Sequence, residues 1–169
     1  LQSREDKEKP FCLMLHHKAP HRTWMPDLCD LGRFDSIDFP IPENFFDTYE
    51  DRVAAQQQEM SIFKDMDLVY DLKLADKENE IHSSYLEKWG RLLYNNLTEE
   101  QKNTWDAHYD PIIAEFKRQN LQNEELAIWK YRRYMSDYLS VIYSLDRNIG
   151  RVLDYLDESG LAENTLVVY

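Results

Sequence analysis

The sequence predicts an α/β chain, mostly helical, with at least two buried strands. Three observations carry that prediction. Phe11–His16 and Leu166–Tyr169 are apolar runs short enough to be strands buried on both faces. Ile128, Tyr131, Met135, Tyr138, Ile142, Leu145, Ile149, Val152 and Leu156 recur in alternating steps of three and four, which keeps one apolar stripe along a long helix. Four glycines and six prolines are too few for an all-β fold built on many tight turns.

Taken in order, residues 1–9 are charged and read as a linker or helix end. The first strand follows, punctuated by Pro10 before it and Pro20 after it. Residues 22–43 read as irregular, because Pro26, Gly32, Pro40 and Pro42 interrupt any regular element. Trp24, Phe34 and Phe39 are placed to pin this loop to the body. Val53–Met60 has the pattern of a helical turn or two, whereas Phe63, Met66, Leu68 and Leu72 show no clear register among lysines and aspartates. Ile81–Tyr94 has helical spacing. Thr98-Glu99-Glu100-Gln101 is a capping box, so a helix starts there. Asp110-Pro111 is a second start signal; it predicts a break or kink, with helix on to about Asn120. After the long stripe, Gly160 suits a left-handed cap and Leu161 can fold back on the last turn. A coiled coil is the rival for the stripe. The strand directly after it favours a helix packed on a sheet.

The chain is long enough for one domain with a real core. Its net charge is −12, from 32 acidic and 20 basic residues, a sign that repels phosphate backbones and argues against a nucleic-acid partner. No apolar stretch is long enough to span a membrane, and no signal peptide is visible. Cys12 reads as a small core residue, and Cys12 and Cys29 alone form no disulfide framework. The chain starts at Leu1 and stops within an apolar pattern, which suggests a piece of a longer protein.

Where the first strand ends the chemistry changes: His16, His17, Lys18, His21 and Arg22 fall within seven positions. As pattern, this is either an anion site at the carboxyl end of a buried strand or a surface loop with ordinary histidines. His82 and His108 lie in polar helical surroundings and read as solvated surface. Trp24 is an aromatic that could stack on a ligand ring, but loop packing is the favoured reading. No His, Asp or Glu cluster has metal-ligand spacing.

Two blocks resemble a known family. Lys9-Pro10-Phe11 through to His17-Lys18-Ala19-Pro20-His21 resembles the middle of type I sulfatases. Leu145-Asp146-Arg147-Asn148-Ile149-Gly150-Arg151-Val152-Leu153-Asp154-Tyr155-Leu156, with Gly160-Leu161-Ala162-Glu163-Asn164-Thr165-Leu166-Val167-Val168-Tyr169, resembles the family's helix and following strand. The intervening helical stretch looks similar to bacterial glycan sulfatases. The resemblance implies an alkaline-phosphatase-like α/β sandwich of which residues 1–169 are a partial, middle segment. It implies hydrolysis of the sulfate ester of a sulfated sugar, a formylglycine nucleophile and a bound calcium ion. It also implies a periplasmic or extracellular location.

Carried over residue by residue, the family's histidine falls on His21, which the resemblance assigns to sulfate contact and leaving-group protonation. Lys18 is a weaker candidate, for substrate contact. Cys29-Asp30-Leu31-Gly32-Arg33 has the Cys-to-Arg spacing of the nucleophile motif. It has Leu31 where Pro or Ala belongs and follows the histidine instead of preceding it, so it is rejected. The resemblance therefore leaves this chain without the nucleophile motif and the main metal ligands, so with no complete metal site. It implies that the segment is inactive alone and works with the rest of the sulfatase chain. The competing reading from another class is a non-enzymatic helical module that binds a partner through the 128–156 stripe. A third is a phosphoesterase on the same fold.

Overall fold

The capping box at Thr98 starts the helix that organises the domain. In the computed structural model, which describes residue 1 and residues 3–169, Gln101 N–H donates to Thr98 Oγ1 at 3.2 Å and Thr98 N–H donates to Gln101 Oε1 at 2.9 Å. Two of the orphan donors at the helix start are thereby satisfied. Four α-helices follow in chain order: α1 Val53–Gln56, α2 Glu87–Asn95, α3 Glu99–Gln119 and α4 Asn123–Glu158. Short 3-10 turns occupy Leu28–Asp30 and Ala162–Asn164. Pro111 lies inside α3, which runs through it without a break. The ring costs one backbone hydrogen bond, and the helix is held on both sides of it by its buried face, Trp105, Tyr109 and Ile113. Asn120 ends α3 in the left-handed conformation at φ 46°.

The core lies between α3 and an irregular segment. Val69, Leu72 and Leu74 from that segment pack with Ile81 and with Trp105, Tyr109 and Ile113 of α3. The unclear register of residues 63–76 has a physical cause: aspartates build the turns here. Asp67 Oδ1 accepts from the backbone N–H groups of Val69 at 2.9 Å and Tyr70 at 2.6 Å. Asp76 accepts from those of Glu80 and Ile81.

The α/β expectation fails. Among the described residues there is no β-strand. Phe11–His16 and Leu166–Tyr169 are both irregular, and their side chains are open: Met14 is 74% exposed and Leu166 89%. A strand exists only as part of a hydrogen-bonded ladder, and neither segment has a neighbour to pair with among the described residues. Cys12, expected in the core, is exposed, as is Cys29, and both are free thiols.

The long helix forms and closes as its sequence predicts. Gly160 sits at φ +68°, and Leu161 N–H returns to the Leu156 carbonyl at 2.9 Å, the reversed hydrogen bond of a glycine cap. The buried face of α4 differs from the predicted stripe. Ala127, Lys130, Arg133, Ser136, Asp137, Ser140, Val141 and Ser144 are buried, while the stripe residues beside them are only half-buried, except Leu156. At its far end the stripe, through Ile149, Val152 and Leu156, faces a groove of about 1130 Å³ whose other walls are the segments around Phe11–His16 and Leu166–Tyr169. The stripe is thus neither covered by strands of this chain nor bare along its length.

Candidate functional site

The cationic loop after residue 15 is a surface feature held by one deep anchor. His21 N–H donates to the Lys18 carbonyl at 2.9 Å, closing a turn that brings those two residues together. Both side chains are exposed, as are those of His16 and His17. His21 Nδ1 is bonded to the Arg22 carbonyl; with Nδ1–H as the donor, Nε2 is the nitrogen left for chemistry. An imidazole and a primary ammonium carried on one turn can together meet an anion and pass it a proton.

Arg22 turns the other way. Its Nε and Nη2 each reach Asp71 at 2.5 Å in a two-pronged ion pair, and its guanidinium lies over the Tyr70 ring at 5.4 Å. The hydrogen bond with Asp71 raises the Arg22 pKa, outweighing the opposing effect of burial. Asp71 is 1% exposed and also accepts from the Asp67 N–H at 2.7 Å. Trp24 packs edge-on against Tyr134, ring centres 4.6 Å apart, so it pins the loop, as its favoured reading holds.

Behind the loop lies a buried charged layer. Lys73 Nζ donates to Asp137 Oδ2 at 2.8 Å, with side-chain exposures of 4% and 2%. Arg133 binds Asp137 at 2.5 Å and Asp35 at 2.8 Å, and Tyr109 O–H donates to Asp137 Oδ1 at 3.2 Å. Burial pushes the Lys73 pKa down against the pull of Asp137 and pushes the Tyr109 pKa up. His108 belongs to this layer, which corrects its reading as solvated surface. Its ring is packed under Gly32, edge-on to Tyr109 at 4.6 Å and 3.8 Å from Asp35. Burial lowers its pKa. His82 is on the surface, 3.4 Å from Glu87.

Asp27, Cys29 and Asp30 bring three possible metal-ligand atoms within 4.8 Å of one another. Arg147 already binds Asp27 at 3.0 Å and Asp30 at 2.6 Å. A calcium ion takes six to eight oxygens, and a set containing a thiol and neutralised by a guanidinium does not fit one. Arg33, four residues after Cys29, lies over the Tyr143 ring at 3.6 Å, a packing role.

The family described as Sulfatase matches residues 1–169. The chain belongs to the sulfatase family. It is 42% identical, over 165 residues, to an N-acetylglucosamine-6-O-sulfatase of Bacteroides thetaiotaomicron, covering 97% of this chain and 29% of that protein. It superposes with a TM-score of 0.83 and 42% identity on a solved structure described as a complex with its substrate D-glucosamine-2-N,6-O-disulfate, covering 97% of this chain and 33% of that one. This sulfatase segment therefore spans about a third of the length of the relatives it matches. No helix among the described residues is long and apolar enough to cross a membrane. Reading the sulfatase sequence alone placed Arg22 in the cationic run. It missed Asp71, 49 residues away, because a single aspartate in an acidic chain carries no signal until the fold brings it under the loop.

Proposed function

We propose that the protein containing this chain is a sulfuric ester hydrolase that cleaves sulfate from a sulfated glucosamine, and that His21 protonates the leaving oxygen. The observation that carries the reading is the 42% identity, over nearly the whole chain, to an N-acetylglucosamine-6-O-sulfatase. A relative bound to a sulfated glucosamine supports the substrate class. The site chemistry agrees. A sugar alkoxide is a poor leaving group, so bond breaking needs an acid at that oxygen. His21, with Nδ1 engaged by a carbonyl, offers Nε2–H in its imidazolium form. Lys18, on the same turn, supplies a fixed positive charge for sulfate oxygens.

The family's formylglycine would supply the attacking oxygen and its calcium ion would hold the sulfate. No donor set among the described residues fits that ion, so this reading assigns both to other parts of the longer protein. This reading also holds that the 169-residue chain is inactive alone and, from the family, that the location is periplasmic or extracellular. In the full-length enzyme, His21→Ala should lower turnover of glucosamine 6-sulfate by about 100-fold or more with an unchanged circular-dichroism spectrum. An unchanged rate removes His21 from the site.

A further inference from the structure

We propose that Asp71 is a positioning residue for His21, acting through Arg22; this rests on the reading of His21 given above. Three observations carry it. Asp71 is 1% exposed, yet the guanidinium it binds belongs to a side chain that is 40% exposed. A carboxylate set this deep and committed with both oxygens to a surface loop is placed to hold that loop, because a bidentate pair fixes direction as well as distance. The carbonyl of the same Arg22 meets His21 Nδ1. The side chain of Arg22 is therefore clamped from below while its backbone orients the imidazole above. Asp71 is itself fixed, through the Asp67 N–H at 2.7 Å, to a turn whose Asp67 carboxylate also binds Ser83 and Ser84.

The path from buried carboxylate to ring nitrogen is thus continuous, and among the described residues no other side-chain contact of the turn reaches the ring. Inside it the His21 N–H reaches only Lys18, and Thr23 Oγ1 is buried without a partner. Loss of the clamp frees the Arg22 carbonyl, and with it the direction of Nε2. The penalty falls on proton delivery, not on substrate binding.

The test uses the full-length enzyme and two substrates. Glucosamine 6-sulfate needs a proton at its leaving oxygen; 4-nitrophenyl sulfate releases a stable phenolate and needs it far less. Asp71→Asn and Arg22→Gln should each lower kcat on the sugar sulfate by roughly tenfold to 100-fold, with KM within about threefold. The loss on the aryl sulfate should be at least about tenfold smaller. Arg22→Lys should restore part of the difference. In a His21→Ala background neither substitution should change the ratio of the two rates further. Equal losses on both substrates, or a full additional loss in that background, overturn the proposal. Should Asp71→Asn fail to fold, Arg22→Gln, at a half-exposed side chain, decides alone. A His21→Ala enzyme that slows both substrates equally defeats the reading of His21 itself, a result distinct from a normal His21 effect with silent Asp71 and Arg22 variants.

Discussion

The two halves of α4 bury themselves by opposite means. Between Lys130 and Ser144 the helix turns charged and small residues inward: Lys130 donates to the carbonyls of Phe63 and Met66 at 2.8 Å, Asp137 meets Lys73, and Ser144 donates to Asp30 at 2.7 Å. Between Ile149 and Leu156 it turns aliphatic residues toward a wide groove walled by two apolar segments. In the first half the buried cations find their partners among the described residues, Arg133 in two carboxylates and Lys130 in two backbone carbonyls. The second is hydrophobic surface that no regular element of the described residues covers. Irregular backbone offers many carbonyls and N–H groups, and a helix packing on it needs polar partners. An apolar stripe matches a flatter, apolar neighbour.

The contrast is open to attack at three strengths. The largest effect is expected at Asp137→Ala, which leaves Lys73 and Arg133 buried with reduced compensation and should cost about 3–5 kcal/mol in denaturant unfolding of the full-length protein. Leu156→Ala, at 7% exposure the most buried of the stripe residues, should cost about 2–3 kcal/mol. If the leucine change proved the costlier, the apolar half would be the principal anchor and the contrast would reverse. The smallest effect is expected at an ion pair of a buried carboxylate, Asp76, with a partly exposed ammonium, Lys117. Burial tends to raise the Asp76 pKa, but the hydrogen bonds from Lys117, Glu80 and Ile81 win and lower it to about 2. A carboxylate depressed in the folded state contributes stability above its unfolded value, near pH 4, that is lost as pH falls through about 2. Lys117→Met should therefore flatten the fall in stability between about pH 4 and pH 2, with a change below about 1 kcal/mol at neutral pH. An unaltered slope would show that Asp76 is held by the backbone donors and Arg91, 3.7 Å away, without Lys117.

Most local signals were legible in the sequence, the Asp110-Pro111 start signal inside α3 being an exception, and signals that depend on a distant partner were not. The Thr98 box, the extent of the long helix and the Gly160 cap could be read because each is settled within a few residues. The two predicted strands are absent among the described residues, because an apolar run such as Phe11–His16 is a strand only where a second segment pairs with it. The inward face of α4 was misjudged for a related reason: hydrophobicity marks a stripe, but Lys130, Arg133 and Asp137 are buried by partners drawn from residues 35, 63, 66 and 73. At the candidate site the cationic run from His16 to Arg22 stood out. That Arg22 turns down to an anchor while His21 turns up was set by Asp71, which the sequence does not distinguish from its neighbours.

Gly90 is the point where α2 crosses the irregular segment. A Cβ there would lie 2.6 Å from the Val69 carbonyl oxygen, two residues from Asp71. That crossing admits no side chain at all without prising apart the stretch from which the loop of imidazoles is moored. Under the role proposed for His21, a side chain at Gly90 would disturb proton delivery from a distance, through the backbone that carries Asp71.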